Sequence, residues 1–168
     1  MGDLYVSWTD YNRTIERLAA NVHRSGWTFN QIVCIARGGL RVGDALSRIF
    51  DAPLAIISTA SYVGGADNVR GEIVVAKHMT MTTDSIGDAV LLVDDLVDSG
   101  ATLEVVKKHV ASIHPHIRDI RTAVLWYKGC SQVKPDYYVD FLPENPWIHQ
   151  PFEPYEQMKP ADLAARMK

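Results

Sequence analysis

Apolar and polar positions along the chain follow two periods. Tyr11, Ile15, Leu18, Ala19 and Val22 recur at helical spacing behind Ser7 and Asp10, which can form a capping box, and Gly26 ends the element. Ile32-Val33-Cys34-Ile35, inside Gln31 to Ala36, is a short unbroken apolar run and reads as a buried strand. It breaks into Arg37-Gly38-Gly39 ahead of a second helix whose apolar face is Leu40, Ala45, Leu46, Ile49 and Phe50. Pro53 to Thr59 predicts another strand. Ser61 to Asn68 is polar and glycine-rich, and Glu72 to Lys77 resumes an extended pattern, so a long hairpin is expected between them. Val90-Leu91-Leu92-Val93 is a buried strand that runs out into acids, after which Leu103, Val106, Val110 and Ile113 return to helical spacing. Ile120, Thr122, Val124 and Leu125 mark a strand within Asp119 to Tyr127, ending at Lys128-Gly129. Strands alternating with helices predict an α/β fold with a central, mostly parallel sheet flanked by helices. From Pro135 to Phe152 aromatic residues alternate with turn formers, the pattern of a small appended lobe. The tail from Lys159 to Lys168 fits a short surface helix.

In such a sheet, ligands sit outside the carboxyl ends of the strands. Arg37, Asp94, Asp95, Asp98 and Lys128 all fall at strand ends and are expected to converge on one crevice. The turn Asp98-Ser99-Gly100-Ala101-Thr102 lies where a strand hands over to a helix N-terminus. Freed amides and the positive end of the helix dipole suit a phosphate there; Gly100 lets the main chain approach, and Ser99 and Thr102 add hydroxyls. Asp94 and Asp95, just before it, can accept from vicinal ribose hydroxyls and reach Mg²⁺, so the pair with the cradle suggests a ribose 5-phosphate. Arg37 with Gly38 and Gly39 offers a guanidinium fork and exposed amides to a further multiply charged group, for which pyrophosphate is the natural guest. Trp147 presents a flat face for a base, and the Ile148 backbone can meet a base edge. Lys128, with donors and no acceptor, favours an exocyclic oxygen over an amino group and so a 6-oxopurine over adenine.

Composition narrows the class. The 168 residues, 47% hydrophobic and 22% charged, fit one soluble globular domain, and no apolar run approaches a bilayer span. A net charge of −3 gives no general pull toward nucleic acid or anionic membrane. The N-terminus lacks a basic segment followed by an apolar one, and Val6 breaks a myristoylation pattern at Gly2, so no integral membrane association and a cytoplasmic location are expected. Cys34 and Cys130 show no metal spacing and read as reduced thiols.

The stretch Val90 to Thr102, Val-Leu-Leu-Val-Asp-Asp-Leu-Val-Asp-Ser-Gly-Ala-Thr, resembles the 5-phosphoribosyl 1-diphosphate (PRPP) motif of type I phosphoribosyltransferases, with Ser99 where the family usually has Thr and Ala101 where Gly is common. Lys128-Gly129, Asp136-Tyr137-Tyr138-Val139 and Pro146-Trp147-Ile148-His149-Gln150-Pro151-Phe152-Glu153 are similar to bacterial xanthine-guanine and hypoxanthine-guanine members, and the likeness spans about Tyr5 to Glu153. It implies the type I phosphoribosyltransferase fold: a core over about residues 5–130, a hood over about 131–153 with an N-terminal contribution, and a flexible lid hairpin in which Ser61 and Tyr62 touch the diphosphate on closure. It further implies transfer of phosphoribosyl from PRPP to a purine base with Mg²⁺. Asp98 then takes a purine proton, Asp94 and Asp95 hold ribose and metal, and Arg37, Gly38 and Gly39 hold the leaving diphosphate. A homodimer or homotetramer is implied as well. The same fold can serve binding alone, so a non-catalytic PRPP- or nucleotide-sensing regulator is the alternative. Against it stand Asp98, the Arg37 turn, the hairpin and Lys128, with no basic face to meet nucleic acid.

Overall fold

Ser7 caps the first helix, its hydroxyl accepting from the Asp10 amide at 3.1 Å. The computed structural model describes residues 2–61 and 73–167. In chain order these form β1 (Leu4–Tyr5), α1 (Trp8–Arg24), β2 (Gln31–Ala36), α2 (Leu40–Phe50), β3 (Leu54–Ser61) and β4 (Ile73–Val75). Then follow β5 (Ala89–Val93), β6 (Leu96–Val97), α3 (Ala101–Ile113), β7 (Asp119–Lys128), β8 (Tyr137–Leu142) and β9 (Ile148–His149). A 3-10 turn (Glu153–Glu156) and α4 (Pro160–Arg166), which buries no residue, end the chain.

Among the described residues the main sheet runs β4-β3-β2-β5-β7, with β6 continuing the line of β5 along β7 and β8 on the other side of β7. Only β4 is antiparallel, closing a hairpin stem on β3 through Thr59↔Val75 and Ser61↔Ile73. The unbroken apolar runs are explained by burial on both faces. Ile32, Cys34, Leu91, Val93, Ala123 and Leu125 pack with α1 and α2, while Val33, Ile35, Val90, Leu92, Ile120 and Val124 pack with α3.

Two expectations change. The buried face of α2 is Val42, Gly43 and Leu46, and Ile49 is 54% exposed. Gly43 sets this rotation: a Cβ on it would lie 2.5 Å from the Cys34 Cβ, so the helix rests directly on β2. Tyr137–Leu142, grouped with the hood by sequence, pairs in parallel with β7 as an edge strand. Its register is pinned by the Asp136 carboxylate, which accepts from the Thr122 amide at 2.8 Å and hydroxyl at 2.9 Å. The smaller unit beyond it, the hood, is the two-stranded parallel pairing of β1 with β9, Leu4↔Ile148 and Tyr5↔His149. No helix of the described residues is long and apolar enough to cross a membrane.

Candidate active site

Because β2, β5 and β7 are parallel neighbours, with Cys34↔Val93 and Val93↔Ala123 in register, the turns that follow them lie side by side. Gly38 lies against the Asp95 carboxylate: a Cβ there would meet its oxygens at 2.5 and 2.7 Å. Gly39 is equally confined: a Cβ there would lie 2.7 Å from the Val93 carbonyl oxygen and 2.8 Å from that of Ile35. Both glycines are therefore required for the Arg37 turn to sit on the end of β5. The Ala36–Arg37 peptide is cis. Arg37 itself reaches outward, 88% exposed, with Glu156 at 3.8 Å as its ion partner.

Asp94 is half-buried, and its Oδ1 accepts from the Asp95 amide at 2.9 Å. Burial first, and the neighbouring Asp95 charge second, push its carboxyl well above the usual carboxylate range, while the Asp95 and Gly39 amides offset part of this. A carboxyl whose pKa folding raises favours the fold while protonated and loses that contribution as pH rises through the folded pKa. Asp94→Asn keeps the acceptor and removes the charge, so the ligand-free variant is expected to be more stable than the parent at neutral pH, the difference closing below the usual carboxylate range. Thermal unfolding against pH checks this, each kcal/mol showing as about 2–4 °C in Tm; a variant less stable at neutral pH contradicts it.

Beyond Asp95 the strand resumes as β6 and runs into the turn 98–102. Gly100 has φ +87°, and a Cβ on it would meet Ser131 Oγ at 2.7 Å and Val133 Cβ at 2.8 Å, so only glycine fits. A cavity of about 140 Å³ opens there, lined by Asp94, Asp98, Ser99, Gly100 and Thr102 with Leu96, Val97 and Leu103. Among the described residues the amides of Ser99, Gly100, Thr102 and Leu103 have no protein acceptor, the condition of a helix start that can wrap an anion. Ala101 differs from its neighbours: it does not line the cavity, and its amide donates to Ser99 Oγ at 3.3 Å.

Lys128 ends β7 only 6% exposed. Its ammonium lies 3.6 Å from Asp98 Oδ1 and 5.9 Å from the centre of the Trp147 ring, which is 62% exposed. In the hood, the Leu4 amide donates to the Trp147 carbonyl at 2.8 Å and the Val6 amide to that of His149 at 3.0 Å. The amide and carbonyl of Ile148 thus face the other, unpaired edge of β9. A larger cavity, about 810 Å³, continues from Trp147 past Gln150 and Asp95 to Gly38, Arg37 and Arg41, with the 3-10 turn as its far wall. The backbone of Ser61 ends β3 in the stem of the hairpin, and Tyr62 lies outside the described residues.

Four further residues line or adjoin this crevice, and none of them stood out in the sequence as part of a site. Gln150 is buried in the hood and donates from Nε2 to Asp95 Oδ2 at 2.5 Å, joining hood to core at the acid pair. Among the described residues its Oε1 has no partner, and neither does the buried hydroxyl of Tyr11, whose pKa rises through burial and the charge of Asp95. The Cys130 thiol donates to Asp98 Oδ1 at 3.2 Å, a bond that raises its own pKa. Arg41 is the second residue of α2 and lines the larger cavity beside Arg37. Gln150 sits inside the Pro146 to Glu153 run, so position was its only signal.

The sequence profile of the phosphoribosyl transferase domain matches residues 7–157. The chain belongs to this family. As a phosphoribosyltransferase it is 30% identical over 149 residues to the xanthine-guanine phosphoribosyltransferase of Gluconobacter oxydans, covering 88% of this chain and 83% of the relative. Among solved structures, a purine phosphoribosyltransferase from Pyrococcus horikoshii superposes with a TM-score of 0.74 at 32% identity, over 91% of this chain and 95% of the other. The xanthine-guanine-hypoxanthine phosphoribosyltransferase of Helicobacter pylori superposes with a TM-score of 0.78 over 97% and 99%; at 24% identity it attests the shared fold.

Proposed function

We propose that this phosphoribosyltransferase moves the 5-phosphoribosyl group of PRPP to N9 of guanine, xanthine or hypoxanthine. The bond from ribose C1 to the diphosphate breaks, the bond to N9 forms, and the purine gives up a proton. Pyrophosphate and a nucleoside 5′-monophosphate leave. The observation that carries this reading is the group of three at one end of the crevice: a buried ammonium at 3.6 Å from a carboxylate and 5.9 Å from an exposed indole, beside a cavity floored by free amides.

The 140 Å³ cavity takes the 5′-phosphate on the Ser99, Gly100 and Thr102 side of the turn, with Ala101 contributing its small size rather than its amide. Asp95 and Asp94 accept from the ribose hydroxyls. Trp147 stacks on the base, Lys128 donates to O6, and the Ile148 backbone meets the adjacent edge. Asp98, between base and phosphate, receives the purine proton or steadies the base as its charge shifts. Arg37 and the Gly38-Gly39 turn bind the diphosphate as charge develops on it. On the family resemblance, Ser61 and Tyr62 act as the lid over that group and shield the ribosyl cation from water.

The donor set fits Mg²⁺. Among the described residues no three His, Cys, Asp or Glu side chains cluster as a closed metal cage, but Mg²⁺ usually takes one or two carboxylates and completes its shell with water and substrate phosphates. Asp94 and Asp95 would hold it, the partial burial of Asp94 beside a second acid being a charge problem that a divalent cation relieves. When bound, the ion neutralises charge on the diphosphate. We read the enzyme as cytoplasmic and as a homodimer or homotetramer, on the family resemblance; light scattering tests the assembly.

A spectrophotometric assay with PRPP and Mg²⁺, offering guanine, xanthine, hypoxanthine and adenine in parallel, tests the reading. Turnover of at least one 6-oxopurine above adenine is expected. PRPP or nucleotide binding without turnover of any base would assign the protein to the sensing class instead.

A further inference from the structure

Among the described residues, every charged group but one on the diphosphate side of the large cavity has a partner. Arg37 pairs with Glu156 at 3.8 Å, Asp95 accepts from Gln150 at 2.5 Å, and His149 lies 3.6 Å from Glu153. Arg41 is the exception. Among the described residues its guanidinium meets no carboxylate within 4.0 Å and no hydrogen-bond acceptor, although it lines the same cavity as Arg37, Gly38 and Asp95.

What holds Arg41 is aromatic. Its guanidinium carbon lies 4.4 Å from the centre of the Phe152 ring and 5.5 Å from that of Trp8. Tyr11 braces both rings edge-on, at 6.2 Å from Trp8 and 5.8 Å from Phe152. Contacts through the ring faces restrain a guanidinium while leaving its edge N–H groups free, so much of the ordering cost of an anion contact is met before the anion arrives. A fork of N–H donors matches phosphate oxygens in pairs.

We propose that Arg41 is a second diphosphate-binding residue, contacting the diphosphate of PRPP and the pyrophosphate released from it. The inference rests on the phosphoribosyl-transfer reading and adds to it the second residue of α2, the helix that follows the Arg37 turn. Arg37 meets the diphosphate from the exposed end of the crevice. Arg41 meets it from the wall, beside Gln150 and Asp95.

The purified full-length protein tests this by calorimetric titration, in the presence of magnesium, with inorganic pyrophosphate and separately with GMP, which has a base and a 5′-phosphate but no diphosphate. Arg41→Met keeps an unbranched apolar chain between the rings and removes the charge; Arg41→Lys keeps the charge. Arg41→Met is expected to weaken pyrophosphate about 10- to 100-fold and to raise KM for PRPP, with GMP affinity and KM for the purine within about twofold, since hydrogen bonds to charged groups are the stronger kind. Arg41→Lys is expected to recover part of the loss. Unchanged pyrophosphate binding in Arg41→Met overturns the inference, and so does an equal loss of both ligands with a lowered Tm, which would make Arg41 a strut between hood and helix. If the parent protein binds neither ligand, the phosphoribosyl-transfer reading falls and takes this inference with it.

Discussion

Asp98→Ala is expected to lower turnover of a 6-oxopurine by about 10²- to 10⁴-fold, the range for loss of a positioned general acid or base, and to leave PRPP affinity within about threefold. The asymmetry follows from where the carboxylate points. Its Oδ1 faces the Lys128 ammonium at 3.6 Å and the Cys130 thiol at 3.2 Å, toward the base end of the crevice. The amides of Ser99, Gly100, Thr102 and Leu103, which carry the phosphate reading, belong to the backbone and survive the change. Asp98→Asn is the control for shape, because an amide can still accept from Lys128 but cannot take a proton from the purine. Steady-state kinetics beside calorimetric PRPP binding separates the two effects. Full turnover in Asp98→Ala removes the residue from catalysis, whereas equal collapse of turnover and PRPP binding would mean that it organises the phosphate turn.

Much of this site was legible because a parallel sheet converts sequence position into spatial position. Arg37, Asp94 and Lys128 each follow or end a strand, and the register of β2, β5 and β7 then fixes them as neighbours. Gly100 drew notice as a point where the main chain can approach an anion, while its φ of +87° and the packing of Ser131 and Val133 against it carry no sequence signal of their own. What stayed hidden depends on contacts across long sequence separations between residues with no pattern of their own. Gln150 meets Asp95 from 55 positions away, and no periodicity marks a glutamine for that role. Arg41 occupies an exposed position of α2, and its significance comes only from Trp8 and Phe152, which the hood and α1 bring to it. The rotation of α2 was missed for a related reason. Hydrophobicity favoured Ile49, but Gly43 decides how closely the helix approaches β2, and a glycine contributes nothing to an apolar count. Tyr137–Leu142 carried the aromatic character of the hood, yet the unpaired edge of β7 captured it as β8.

Lys128→Gln is expected to cost about 10²-fold in kcat/KM for guanine, xanthine or hypoxanthine, since hydrogen bonds from a charged donor are worth roughly 1.5–3 kcal/mol and a site built around one rejects partners that cannot match it. Adenine is expected to lose nothing and to gain, so the preference narrows from both sides. A lysine offers three donors and no acceptor, which suits O6 and leaves the 6-amino group of adenine facing a cation; the glutamine amide offers an acceptor as well. Burial makes the effect large. Lys128 is 6% exposed, so water does not readily replace the contact it loses. The same burial dictates the choice of substitution, because alanine would leave a cavity beside Asp98 and Trp147 where glutamine fills most of the volume. PRPP affinity is expected to hold within about threefold, the ammonium lying on the base side of Asp98 and outside the lining of the 140 Å³ cavity. Kinetics with each purine and a PRPP titration decide the matter together. Loss of PRPP binding with an unaltered ranking of the bases would move Lys128 from the purine to the phosphates, and with it the whole orientation of substrate along the crevice.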